Sequence, residues 1–183
     1  MRKIALLTLS LLLLVTLATA QIPTAGNVFF GYSYYNTNLS PIDRANTNGW
    51  QASVEGKFLP WIGIVGDVSS HYGSENFPFF CPPIPSPCTV NADVTEHNYL
   101  FGPRVSVSVG KFRPFAEGLI GAGHVRVKGG GSDTSFASAL GGGIDYKLIP
   151  AVAWRLQGDY VQTRFFNTTQ NNLQLATGIV IRF

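Results

Sequence analysis

The last eleven residues alternate without a break: Leu173, Leu175, Thr177, Ile179, Ile181 and Phe183 share one face of an extended strand, and Gln174, Ala176, Gly178, Val180 and Arg182 share the other. A strand of this kind, running to the final residue and ending on an aromatic ring, is awkward for a water-soluble domain. It suits a strand that turns apolar side chains to lipid and sets an aromatic residue at the membrane interface. The terminus therefore directs attention to a bilayer, and the rest of the chain tests the idea.

At the other end, Arg2 and Lys3 precede an apolar run from Ile4 to Leu17 that closes with Ala18, Thr19 and Ala20 before Gln21. A charged start, an apolar middle and a small-residue exit describe a secretory signal peptide. The run is also shorter than the roughly 20 residues a spanning helix needs. Cleavage after Ala20 is expected, with residues 1–20 as signal and 21–183 as one domain. Removing the signal takes Arg2 and Lys3 away, so the formal charge falls from +3 to +1. That balance offers no clustered basic face, and nucleic acid is not an expected partner. No apolar stretch after residue 20 has helical spanning length, so a chain that enters the membrane must do so as a closed barrel, whose backbone groups all find partners. Charged residues at 13% against aromatics at 13% fit a sheet with a lipid-facing side.

Period-two runs bounded by turn residues predict eight strands, near Val28 to Asn36, Gly49 to Phe58, Ile62 to Tyr72, His97 to Val109, Phe112 to Val125, Phe136 to Lys147, Ala151 to Thr163 and Asn172 to Phe183. The even connections are tight: Leu59 to Trp61, Gly110 with Lys111, and Leu148 to Pro150. The odd connections, Thr37 to Asn48, Gly73 to Glu96, Arg126 to Ser135 and Arg164 to Asn171, are long and polar. In an up-and-down meander this puts short turns at one end and long loops at the other, the pattern of an all-β, eight-stranded antiparallel transmembrane barrel with its long loops outside the cell. Pro103 lacks the donor a paired strand requires, and a bulge is expected there.

The segments Phe30 to Tyr34, Gly49 with Trp50, Gly63 to Asp67, Leu100 to Arg104, Arg113 to Phe115, Gly141 to Asp145 and the ending at Phe183 resemble small eight-stranded outer-membrane β-barrel proteins, of which the transmembrane domain of outer membrane protein A is the type. The likeness spans residues 27 to 183. It implies a location in the outer membrane of a Gram-negative-type bacterium, contact with outer-membrane lipid, and transient recognition of the last strand, through Leu175, Ile179, Ile181 and Phe183, by the outer-membrane assembly machinery. The chain stops at the eighth strand, so the cell-wall tether of longer relatives is not carried over.

Charges within the strands fall on one parity. Glu55, Asp67, Glu117, Asp145 and Asp159 are expected in the lumen with Lys57, Arg104, Arg113, Lys147, Arg155 and Arg182, because Arg or Lys at the midplane on the lipid face costs about 2 to 4 kcal/mol. Arg104 and Arg155 are expected among Asp67, Glu117 and Asp159, with Glu55 in the same cluster. An eight-stranded barrel is just wide enough for side chains to fill, which favours a structural plug over an ion path. Cys81 and Cys88 flank a proline-rich segment in the longest loop, and in an oxidising compartment they are expected to form a disulfide. Two sulfurs do not make a metal centre, and neither a metal nor a cofactor is expected.

Ser69, Ser70, His71 and Tyr72 raise an esterase reading, since some small outer-membrane barrels are lipid A deacylases that use Ser and His. Such chemistry needs nucleophile, base and acid together on the outer surface. Here His71 shares parity with Asp67 and is expected inside, while His124 is outside without an acid on its face. The favoured expectation is a monomeric, non-catalytic barrel that is structural or presents four external loops to an unidentified ligand. The alternatives are a lipid-modifying enzyme on the same fold and a soluble secreted barrel binding an apolar ligand.

Overall fold

The structure is a computed structural model that describes residues 25–37, 45–80, 87–129 and 131–183, with backbone alone for 45, 75–80 and 87–91. The proposed signal segment and Cys81 lie outside the described residues, as does the side chain of Cys88. Eight strands follow in order: β1 (Gly26–Thr37), β2 (Ala45–Leu59), β3 (Ile62–Phe80), β4 (Pro87–Ser106), β5 (Phe112–Val127), β6 (Gly131–Ile149), β7 (Val152–Thr163) and β8 (Gln170–Arg182). Each pairs antiparallel with its neighbour, and β8 returns to β1 to close the barrel. All eight strands expected from the alternation are present.

The ladder also sets the barrel's shape. Followed around the wall from Gly26, it passes Gly56, Ile64, Pro103, Gly118, Leu140, Tyr160 and Leu173 and returns to β1 at Asn36, ten residues further on. The Pro103 to Gly118 step is carried by the unchanged register on either side of it. Such a stagger over eight strands tilts them by roughly 40° to the axis.

Three expectations change. Pro103 does not sit in a bulge: pairing of β4 with β5 lapses at Gly102 and Pro103 and resumes at Arg104 opposite Glu117 in the same register. The ladder loses a donor there without gaining a residue. The register shifts fall instead beside two tight turns, between Lys57 and Leu59 and between Lys147 and Ile149. The β3–β4 connection expected as a long loop is mostly strand, since pairing continues from Tyr72 opposite Thr95 to Phe80 opposite Pro87. This ribbon of eight further residues rises about 27 Å past the last β2 partner of β3, at ~3.4 Å per residue. The β5–β6 connection likewise shrinks, because β6 begins at Gly131. Polar residues, glycine and proline marked these segments as loop, yet the backbone pairing runs on through them.

The outer surface is apolar between two aromatic girdles. Phe58, Trp61, Phe112 and Phe183 ring the end with the tight turns, and Tyr32, Tyr72, Tyr99, Phe136 and Tyr160 ring the other, all exposed. Between them lie Phe30, Val54, Ile64, Phe101, Ile120, Leu140, Leu156, Leu175 and Ile179. Charged and polar residues outnumber apolar ones in the interior and the outer face is apolar, so a soluble carrier with an apolar cavity is overturned: the faces are inverted for that role. Allowing for the ten-residue stagger, the girdles also locate the midplane near Gly66, Gly102, Gly118 and Gly142. Phe101→Arg should therefore destabilise the barrel by about 2 to 4 kcal/mol, and Phe58→Arg, in the girdle beside a tight turn, by about 0 to 1 kcal/mol. Urea unfolding in lipid vesicles measures both, and equal losses would mean the girdles do not mark the interfaces.

Candidate functional site

Lumen residues come from one parity of every strand, so the fold brings together charges far apart in sequence. Arg104 and Arg155, from β4 and β7, are the largest fully buried side chains. Arg104 donates through Nε to Glu117 at 2.6 Å and through Nη1 to Glu55 at 3.3 Å. Asn27 and Lys57 complete the shell of Glu55, at 2.5 and 3.4 Å. Arg155 grips Asp145 with two parallel hydrogen bonds, of 2.7 and 3.1 Å, and Arg182 reaches the same carboxylate at 3.2 Å. Phe115 lies between the two guanidiniums, which sit 4.5 and 4.6 Å from its ring centroid. This arrangement stacks two like charges on the negative faces of one aromatic ring and gives each an acid of its own.

Glu55, Asp67, Arg104, Glu117, Arg155 and Asp159 are all buried inside the barrel, and Arg155 has a different partner from those expected. Arg155 pairs with Asp145 rather than with Asp67 or Asp159. Those two accept hydrogen bonds from Gln51 at 2.7 Å and from Gln157 at 2.7 Å. Gln157 also donates to Glu117 at 2.8 Å. Gln51, Gln157 and Asn27 were the residues sequence reasoning missed, although each was a polar residue on the lumen parity of a strand interior, which was the available signal. Lys147, expected inside, is exposed, because it sits beside the register shift at the turn end of β6.

Nearer the loop end, Tyr35 donates to Glu96 at 2.9 Å and stacks on His71 with centroids 4.5 Å apart. His71 is hydrogen-bonded through Nε2 to Ser33 at 2.8 Å. Above this layer Phe165, in the short 3₁₀ turn Phe165–Asn167 between β7 and β8, is fully buried against Val94 and Val125. Its backbone N–H donates to Gln170 at 2.9 Å, and the N–H of Phe166 donates to Asp133 at 2.6 Å. The lumen thus holds a charge layer, an apolar cluster that includes Leu100, Leu119 and Val161, a polar layer and an apolar stopper.

On the outer face, Ser70 and His97 are hydrogen-bonded through Oγ and Nδ1, a contact between β3 and β4 that single-strand parity did not reveal. His71 points inward and His124 outward, as parity required. Ser70 is 2% exposed, and its ladder neighbours on that face are Trp50, His97 and, beyond it, His124. Among the described residues no carboxylate joins the Ser70–His97 contact. Leu175, Ile179, Ile181 and Phe183 all face outward.

An apolar belt bounded by aromatic girdles around a closed lumen of paired charges defines a transmembrane β-barrel. The chain belongs to the outer membrane protein beta-barrel domain family, whose model matches residues 5–183, and its place is the outer membrane. No curated protein sequence matches it. Among solved structures the chain is similar to Neisserial surface protein A, with TM-score 0.68 and 15% identity over 87% of this chain and 99% of that one. It is also similar to OprG from Pseudomonas aeruginosa, with TM-score 0.60 and 10% identity over 88% and 97% of the two chains. The attachment invasion locus protein Ail of Yersinia pestis gives TM-score 0.56 and 16% identity over 87% and 98%. At these identities the likeness is one of fold.

Proposed function

We propose that this barrel serves a structural and surface-interaction role, as a monomer without cofactor, and that it catalyses nothing. The observation that carries the reading is the filled lumen: Arg104 and Arg155 are at most 1% exposed, and Phe165 stops the mouth. A barrel plugged in this way offers no ion path, which leaves its activity to the surfaces it presents outside, above all the β3–β4 ribbon. Conductance of the purified protein in planar bilayers tests the plug. No channel steps are expected, and steady unitary conductance would overturn the reading.

The rival, a lipid-modifying enzyme, has the Ser70–His97 contact in its favour and the missing acid against it. Acyl-chain analysis of outer-membrane lipid from cells with and without the protein separates the two, and a shortened acyl complement would decide for the enzyme. The outward row ending at Phe183 is proposed as the segment read during assembly. Deleting Phe183 should lower the folded, heat-modifiable fraction in cells severalfold more than Ser132→Ala does, and equal yields would dismiss the signal.

A further inference from the structure

Above the girdle residues Tyr99 and Phe136, and level with Tyr72 on β3, the outer face of β3 to β6 turns polar in two rows. One row runs Ser70, His97, His124, Thr134 across the ladder, and the next runs Tyr72, Thr95, Arg126, Ser132. Both imidazoles are anchored at Nδ1, His97 by Ser70 and His124 by the Thr134 hydroxyl at 2.7 Å. Their Nε2 atoms are thereby left for an incoming group. Directly opposite residues have Cβ atoms about 4.5 to 5.5 Å apart, so both rings can reach one ligand. Arg126 is exposed and forms no ion pair among the described residues. Beside it opens a cleft of ≈ 610 Å³ lined by Asp93, Thr95, Arg126, Lys128 and Ser132.

Two ligand chemistries compete for this surface. Paired imidazoles suit a transition metal, but Arg126 and Lys128 repel a dication. Asp93, the acid lining the cleft among the described residues, is already held by Lys128 at 3.2 Å and Ser74 at 3.0 Å, contacts that keep its carboxyl below the usual carboxylate range. The same groups favour an anion: a guanidinium fork, two imidazoles and the hydroxyls of Thr95 and Ser132 all donate to phosphate oxygens. The height of the rows fits too, since a polar band directly above an aromatic girdle lies at the level of lipid headgroups. Immediately below, small Ala122 sits between its ladder partners Tyr99 and Phe136, leaving a groove on the lipid face.

We infer that this surface seats the phosphate of an outer-leaflet glycolipid, with Arg126, His97 and His124 donating to it and an acyl chain descending past Ala122 between Tyr99 and Phe136. Headgroup phosphate on Arg126 and chain in the groove together distinguish a lipid from a free anion.

Native mass spectrometry of the purified full chain in detergent, titrated with diphosphorylated lipid A, tests the seat. One lipid should be retained per barrel. Retention should fall at least about fivefold in Arg126→Glu and in the His97→Gln, His124→Gln double variant. Lys147→Glu, an exposed charge at the opposite rim, should behave as wild type. Heat-dependent gel mobility confirms that each variant is folded before titration. Lipid A stripped of its phosphates should bind wild type no better than the phosphorylated form binds Arg126→Glu. Three outcomes would overturn the inference: undiminished retention by the folded Arg126→Glu barrel, equal binding of the dephosphorylated lipid, or complete displacement by millimolar inorganic phosphate, which would mark a free-anion site. Zn²⁺ binding that depends on the two histidines while lipid retention does not would overturn it in favour of the metal.

Discussion

Arg104→Ala is expected to lower the unfolding free energy of the barrel in lipid vesicles by about 3 to 5 kcal/mol, the range for removing one partner of a buried ion pair. The loss has a specific origin. Glu117 and Glu55 both aim at Arg104, and with the guanidinium gone both carboxylates stay in a space closed to solvent. Truncation also strips one of the two cations from the Phe115 ring. Adding Glu117→Gln to Arg104→Ala should restore part of the stability, because one of the stranded charges disappears. Urea titration of the three proteins in the same vesicles gives the comparison. A loss below about 1 kcal/mol for Arg104→Ala would mean that water reaches the pair, and the plug would have to be abandoned.

Gly178→Val should do more damage, by preventing closure. Gly31 of β1 and Gly178 of β8 are partners in the ladder that seals the barrel. A Cβ on Gly178 would stand 2.3 Å from the Phe30 carbonyl oxygen and 2.4 Å from the Gly31 Cα, and one on Gly31 would stand 2.3 Å from the Thr177 carbonyl oxygen. These obstacles are backbone atoms of the seam itself, so no side-chain rotation relieves them. A cost above ~4 kcal/mol places the substitution in the exceptional class, and the heat-modifiable folded band should vanish. Gly66 makes the contrast. A Cβ there meets nothing within 4 Å, so Gly66→Ala should leave the folded band at its wild-type intensity. Similar folded fractions for Gly178→Val and Gly66→Ala would show that the seam is looser than its register implies.

The alternation of side chains was enough to place all eight strands but not to say which face is inside; the signal-like start, the loop asymmetry and Phe183 pointed to a membrane, and there the opposite register would put Arg104 and Arg155 into lipid. It was silent where strands leave the bilayer. From Gly73 to Phe80 and Pro87 to Glu96 the alternation is interrupted by Gly73, Glu75, Pro78, Pro87 and Asp93, so the ribbon resembled a loop although its backbone pairing is continuous. The identity of each partner in the lumen was equally hidden. Parity tells which residues enter the interior, while the stagger of the wall decides which of them share a level, and that is how Asp145 came to hold Arg155 in place of Asp67 or Asp159. The Ser70–His97 contact and the opposition of His97 to His124 depend on the same cross-strand offsets, which no single strand encodes.

The girdles carry one more implication, for where such a chain can reside comfortably. Ten residues of β3 separate Ile62, next to the girdle at Trp61, from Tyr72 in the opposite girdle. At ~3.3 Å per residue and a tilt of roughly 40°, the apolar band is about 25 Å tall. A bilayer with a hydrocarbon core of ~30 Å would have to thin by several ångströms around the wall, at a modest cost for each ångström of mismatch. A strand network cannot shed that cost by tilting further, since stagger fixes its slope, so the height of this wall acts as a gauge that favours the thinner bilayer of the outer membrane over a thicker one.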